Sequence, residues 1–243
     1  MQGMTDMKGV RFLMDSWIMA ALLAVTPVTT SLGAMATRVE DKNNHIYKDF
    51  IASPLKRSTL ASSYIISGFF ISLILTFITF ILAELYIVIF GGELLSIEAM
   101  FMVILLIIFT TAASSLMMFY LVSWFKSINT YTTASTIVGT LIGFLTGIYI
   151  PIGSVPEAVQ MVIKLFPTSH AGVLFRSVMM KQAEKVTFAD APASVLEDFR
   201  LNLGVSFKVG DTILPIYSSI LYILIFMVLF FVLSLFQISI KEK

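Results

Sequence analysis

The chain has 243 residues, of which 58% are hydrophobic and only 13% are charged. Its mean hydropathy of +0.93 is higher than the surface of a water-soluble domain tolerates, so the composition indicates an integral membrane protein. A formal net charge of +1 argues against a nucleic-acid partner, and the lack of cysteine excludes disulfides, thiolate metal sites and a thiol nucleophile.

Long apolar segments divide the chain into spans and loops. A helix that crosses a bilayer needs about 20 mostly apolar residues, and the pattern predicts about five such spans, over residues 17–36, 60–90, 97–124, 131–150 and 214–238. The short loop 38–59 has more basic than acidic residues, which places it in the cytoplasm, the N-terminus outside and the C-terminus inside. The sequence therefore predicts an all-α, polytopic membrane protein with a single transmembrane domain over residues 1–243.

Few polar residues within or beside the spans are candidates for a functional role. Pro27 is predicted to form a packing kink, with a kink beside a transport pathway as the alternative. Glu84 is a functional candidate because it is a carboxylate within a span, but its position near the span's end favours an interfacial acid. The two histidines, His45 and His170, are expected to be solvated or interfacial rather than ligands.

The cytoplasmic loop contains a predicted amphipathic helix. Its apolar edge consists of Ile46, Tyr47, Phe50 and Ile51. The pair Ser53-Pro54 then predicts a second helix start, with serine as the N-cap and proline in the first turn. Such a helix either lies on lipid headgroups or docks into a groove of another protein, and its chemistry alone leaves both open.

The fourth predicted span has small residues at every fourth position. They are Ser135, Gly139, Gly143 and Gly147. This spacing puts small side chains on one helix face and predicts close approach of another backbone, from the same subunit or from a second one.

Prolines punctuate the predicted outer region, residues 151–213. Pro151 is expected to end the fourth span, and Ser154 and Glu157, with Pro156 between them, predict a capping box that starts a short helix. Pro167 is expected to stop that helix, which is too short to cross a bilayer and is therefore predicted to be interfacial or re-entrant.

The motifs of common enzyme sites do not occur in the sequence. There is no glycine-rich phosphate loop of the Walker A form, no HExxH and no GxSxG. We therefore expect no catalytic, metal or cofactor-binding residues in this chain.

Two stretches resemble one family of membrane proteins. The run KDFIASPLKRSTLASSYIIS, residues 48–67, looks like the coupling segment of type-2 ABC export permeases, and GIYIPIGSVPEAVQMVIKLFPTSHAGVLFR, residues 147–176, resembles the family's re-entrant segment. Their order and separation match the family, and the resemblance covers nearly all of the chain. The family has six spans and a cytoplasmic N-terminal helix, so we expect this chain to lack that helix and the first span.

The resemblance implies a permease subunit in the plasma membrane that works with separate ABC ATPase subunits, which bind ATP and Mg²⁺. It implies that the loop around Phe50 couples to the ATPase, and that the small-residue face contacts a second permease subunit in a homo- or heterodimer. The expected cargo is an amphipathic drug-, lipid- or peptide-like molecule that is moved out of the cell. The alternatives are export of a lipid-linked polysaccharide, or a truncated, non-transporting subunit with a regulatory or assembly role.

Overall fold

The computed structural model describes residues 2–210 and 212–240, and within them the chain is almost entirely helical. The α-helices in chain order are α1 (Gln2–Ala34), α2 (Ala36–Asn43), α3 (Ile46–Ala52), α4 (Arg57–Ile89), α5 (Ile97–Ser123), α6 (Ile128–Leu145), α7 (Glu157–Leu165), α8 (Pro167–Met179), α9 (Lys181–Thr187), α10 (Ala193–Asn202) and α11 (Ile216–Ile240). A 3₁₀ helix, Ile152–Ser154, precedes α7. The strands β1 (Lys208–Val209) and β2 (Thr212–Ile213) form a small antiparallel hairpin before α11.

Four helical segments of the described residues are long and apolar enough to cross a membrane. They are Gly9–Asn43, Arg57–Ile89, Ile97–Ser123 and Ile216–Gln237. The pair α7 and α8, bent by 88°, makes a fifth span if it is counted as one broken segment. The prediction of an all-α, polytopic membrane protein is confirmed.

The fourth predicted span, residues 131–150, differs from the structure. Helix α6 has 18 residues and ends at Leu145, and it is not one of the four apolar segments. Its first half is rich in threonine, which lowers its hydropathy. It ends early because Gly147 adopts a φ of 68°, a left-handed conformation that stops a helix.

Helix α1 lies at the centre of the bundle and packs against α4, α5 and α8. The helix also begins well before the predicted span, at Gln2, because Phe12 and Leu13 are buried in the core and extend its apolar face. One hydrophobic cluster surrounds Trp17 and Phe175, and a second surrounds Met35 and Phe119 further along the bundle.

Hydroxyl groups link α1 to its neighbours inside the bundle. The Ser72 hydroxyl of α4 donates to the Pro27 carbonyl at 3.1 Å and lies 2.6 Å from the Thr30 hydroxyl. The hydroxyls of Ser31 and Ser115 lie 3.0 Å apart between α1 and α5. Small hydroxyl side chains let helices approach closely and satisfy polar groups that lipid cannot, and helix α1 continues through Pro27.

Replacing Phe175 by alanine is expected to destabilise the bundle. Its side chain is fully buried in the cluster around Trp17, so the change removes buried apolar area and leaves a cavity, at a cost of about 3–5 kcal/mol. Thermal unfolding of the purified protein in detergent measures the loss. Phe236→Ala is the matched control, because Phe236 is exposed on α11, and equal destabilisation by both changes would contradict the described core.

Candidate functional site

The predicted cytoplasmic loop folds into α2 and α3. Helix α2 follows α1 almost directly, after Met35, and packs against α3 and α6. His45 separates α2 from α3 with a φ of 64°, a left-handed conformation that ends the first helix. It is exposed, as expected.

The predicted apolar edge of α3 is split in the structure. Ile46 and Phe50 are 42% and 37% exposed. Tyr47 instead faces the bundle, where the Lys42 ammonium lies 5.9 Å from its ring centroid, and it lines a cavity there. The side chain of Ile51 lies outside the described residues. The exposed apolar surface of α3 is therefore Ile46 and Phe50.

The predicted helix start at Ser53-Pro54 is wrong. Ser53 is the C-cap of α3 in an extended conformation, and its hydroxyl donates to the Phe50 carbonyl at 2.6 Å. Pro54 lies in the following bend, and α4 begins at Arg57 with Lys56 as the N-cap. The serine hydroxyl is engaged with the end of one helix and does not cap the next.

The four small residues predicted to share one helix face have different environments in the structure. The Ser135 hydroxyl is buried without a hydrogen-bond partner, and Gly139 is exposed, with no atom within 4 Å of the place of a Cβ. A Cβ at Gly143 would lie 2.3 Å from the ring of Tyr149, so the chain itself covers that position. Gly147 lies beyond the end of α6, in the turn. The prediction of one continuous four-residue helix face is therefore wrong, because the helix ends early and Tyr149 folds back over it.

The residues after α6 differ from the prediction, since Pro151 was expected to end the fourth span, but α6 already ends at Leu145 and Pro151 is the N-cap of the 3₁₀ helix. Ser154 belongs to the 3₁₀ helix, and Pro156 is the N-cap of α7, without a side-chain cap. The predicted capping box is therefore not formed, since Ser154 precedes the N-cap position, although Glu157 is the first residue of α7. Helix α7 ends at Leu165, and Phe166 before Pro167 is extended, so the prediction that Pro167 stops this helix is confirmed. Pro167 is also the first residue of α8, where proline fits because no backbone donor is needed.

Arg176 of α8 is the most buried cation of the outer region, at 2% exposure. Its guanidinium donates to the main-chain carbonyls of Thr146 at 3.0 Å, Gly147 at 3.2 Å and Gly204 at 3.4 Å. It also lies 5.0 Å from the ring centroid of Trp17. One side chain thus joins the end of α6 and the turn after α10 to α1.

Trp17 completes this junction, since its indole donates to the Leu203 carbonyl at 2.8 Å. Neither residue was predicted to have a structural role. Arg176 is the last residue of the stretch 147–176 that resembles the family's re-entrant segment. A neighbouring run of small and apolar residues, AGVLF, was the available signal of burial.

Two polar residues are more buried than predicted. His170 is 4% exposed, with Nδ1 3.0 Å from the Ser219 hydroxyl and Nε2 2.8 Å from the Lys164 carbonyl, so the expectation of a solvated histidine is wrong. Glu84 is buried as well, and one of its oxygens accepts the Leu95 backbone N–H at 3.2 Å. Both side chains fasten connections between helices.

An ion pair closes the outer cap. The buried carboxylate of Glu184 accepts hydrogen bonds from Arg200, with Nε at 3.1 Å, and so joins α9 to α10. This contact raises the pKa of the Arg200 guanidinium. Among the described residues, no group of three acidic or histidine side chains is placed to hold a metal ion.

Replacing Arg176 by methionine is expected to destabilise the outer region by about 2–4 kcal/mol, because buried carbonyls lose their charged donor. Thermal unfolding and limited proteolysis between residues 180 and 210 measure the effect. Arg11→Gln is the control, since Arg11 is exposed and makes a half-exposed pair with Asp15 at 3.5 Å and a contact with the Phe90 ring, 4.5 Å from its centroid. Unchanged unfolding of the methionine variant would show that the guanidinium does not hold this junction.

The comparisons with known proteins identify the family. A search of curated proteins found no match to the chain. The sequence model of the ABC-2 family transporter proteins matches residues 4–236, which is nearly the whole chain. The chain belongs to the ABC-2 family of membrane transporter proteins, as a multi-pass permease subunit.

Proposed function

We propose that this permease moves an amphipathic drug-, lipid- or peptide-like molecule out of the cell, driven by a separate ABC ATPase subunit. The observation that carries the proposal is the pair of exposed apolar side chains on α3, Ile46 and Phe50. Aromatic and aliphatic anchors of this kind fill pockets in partner proteins. ATP and Mg²⁺ then act in the partner, and this chain receives the mechanical work.

The connections of α3 indicate how a movement of this helix would reach the membrane helices. Only residues 53–56 separate α3 from α4, so a push on α3 reaches a long membrane helix with little slack. On the other side, α3 packs against α2, which continues from α1. Because α1 packs along α4, a displacement of α3 moves both helices together.

An apolar groove supports the choice of cargo. It lies between α5, α8 and α11, is partly open to solvent, and comprises about 330 Å³ when that open part is counted. Its walls are formed by Thr110, Ala113, Ser114, Met117, Pro167, Thr168, Ala171, Ile223, Phe226, Met227 and Phe230. The lining has no charged residue, which suits an apolar or amphipathic molecule better than a glycan, since a glycan needs many hydrogen-bond partners.

Replacing Phe50 by alanine is expected to weaken binding of the ATPase subunit by about 2 kcal/mol, because it removes a central apolar anchor. Co-purification of the two subunits and substrate-stimulated ATP hydrolysis measure the loss, with membrane insertion unchanged. The control is Lys56→Glu, which alters an exposed charge next to α4. Intact co-purification and transport after Phe50→Ala, with loss of the loop's membrane association after the charge change, would indicate that α3 rests on lipid headgroups instead.

We also propose that the open side of α6 around Gly139 contacts a second permease subunit. A row of exposed threonines, Thr132, Thr136 and Thr140, follows the same helix, and each hydroxyl donates to the carbonyl four residues earlier at 2.9 to 3.0 Å. These hydroxyls are therefore satisfied within the helix and leave a smooth, small-residue surface that a second backbone can approach.

Replacing Gly139 by leucine is expected to reduce cross-linking between subunits while the monomer stays folded, since the position is open. Gly143→Leu is the contrasting variant, because its side chain would collide with Tyr149 of the same chain and lower thermal stability directly. Unchanged cross-linking in the Gly139 variant would remove α6 from the interface.

A further inference from the structure

We propose that the end of the bundle formed by α2, α3 and the start of α4 holds a binding site for a phosphate group, carried by an anionic phospholipid headgroup or by free phosphate. The site is a cavity of about 390 Å³, counting the part that is open to solvent. It is distinct from the exposed surface of α3, since it lies on the inner side of that helix. Its lining residues are Arg38, Tyr47, Arg57, Leu60, Ala61, Tyr64, Phe119 and Gln237.

Arg38 is the residue on which the site depends. It is 6% exposed, and its Nη1 has no hydrogen-bond partner. The guanidinium lies 4.4 Å from the ring centroid of Phe119, which covers one face of it but accepts no conventional hydrogen bond. Neither of the two ion pairs among the described residues includes it. A buried guanidinium with an unused N–H is costly unless an acceptor is supplied from outside the chain.

The other polar lining residues favour an anion as that acceptor. Arg57, the first residue of α4, lines the same cavity and is partly buried. The lining thus contains two arginines and no acidic residue, and the carboxylate of Asp41, which contacts the lining residue Tyr64, is engaged by the Tyr64 hydroxyl. Helix α4 also begins here without a side-chain cap, which adds the positive end of its dipole.

The position and shape of the cavity favour phosphate on a lipid. It lies where α4 begins and where α11 nears its end, at the limit of two membrane-spanning segments. Leu60, Ala61 and Phe119 give it apolar walls beside the charged groups. One guanidinium group can donate two parallel hydrogen bonds to two oxygens of the same phosphate. Arg38 and Arg57 provide two guanidinium groups, from α2 and α4.

The test measures thermal unfolding of the full-length protein in detergent with three additives: dioctanoyl-phosphatidylglycerol, dioctanoyl-phosphatidylcholine and inorganic phosphate. We expect phosphatidylglycerol to raise the unfolding temperature of the unaltered protein more than phosphatidylcholine does. Arg38→Gln should weaken the apparent affinity for phosphatidylglycerol about tenfold or more, because a charge-assisted contact is lost. Arg57→Gln should also weaken the affinity for phosphatidylglycerol. Because Arg57 is more exposed, this variant tests the site if Arg38→Gln does not fold.

Lys56→Gln is the matched control, because Lys56 is the exposed neighbour of Arg57 and does not line the cavity. An equal response to inorganic phosphate, lost in the same two arginine variants, would support the site and identify free phosphate as its ligand. An unchanged phosphatidylglycerol response in the arginine variants would overturn the proposal and leave Arg38 as a cation stacked on Phe119. An equal loss in Lys56→Gln would overturn it too, since the response would then reflect surface charge alone.

Discussion

The buried guanidinium of Arg176 makes the contacts on which the region between the end of α6 and the turn after α10 depends. Its three carbonyl acceptors come from the end of α6 and from the turn after α10, two segments about 60 residues apart in the sequence. Carbonyl groups in such turns have no helical partner, and in a membrane protein water does not reach them freely, so a donor from the chain must satisfy them. The positive φ of Gly147 turns its carbonyl toward Arg176, and Trp17 covers the guanidinium from α1. The guanidinium therefore adds a polar junction to the packing that already holds α8 against α1, α5 and α11.

Inside the bundle the same requirement is met by smaller groups. Lipid tails are as apolar as the side chains of the helices, so the hydrophobic effect does not drive one membrane helix against another. Helices in a membrane therefore associate through close packing and polar contacts. The contacts of Ser72 with Pro27 and Thr30, and of Ser31 with Ser115, join α1 to α4 and α5 without a buried charge. These hydroxyl contacts allow α1 to slide against α4 and α5, because a hydroxyl that loses one weak hydrogen bond can form another with a nearby group. The Arg176 junction resists such sliding, since the main-chain carbonyls bound to the guanidinium would lose their charged donor.

The sequence predicted the long apolar helices better than it predicted the turns and the buried polar contacts. Hydropathy predicted the long spans other than the fourth, because a membrane helix must be apolar over its whole length, and the amphipathic spacing around Phe50 predicted the helix before α4. Local turn chemistry was less reliable. Ser154 and Glu157 have the spacing of a capping box, but the 3₁₀ helix and Pro156 occupy the positions that the box requires. Tyr47 was assigned to an exposed edge because helical periodicity cannot tell a partner's surface from the inner side of the same bundle. The environments of Arg176 and Arg38 depend on residues far away in the chain, which no local pattern contains.

The two ends of the bundle therefore differ in how firmly they are held, and that difference suits a transporter. At the outer end, Arg176, Trp17 and the pair of Glu184 and Arg200 fasten α1, α6, α8, α9 and α10 into one unit. At the other end, α3 is held by its packing on α2 and by the short link to α4, and Arg38 beside it has an unused donor. In the proposed mechanism, a displacement of α3 by the ATPase would be carried along α1 and α4, which are each 33 residues long, or about 50 Å. Because Trp17 and Arg176 hold the far end of α1, the displacement would tilt α1, and α4 packed along it, rather than translate the bundle. A tilt opens and closes the space between helices at one end, which is the change that alternating access requires.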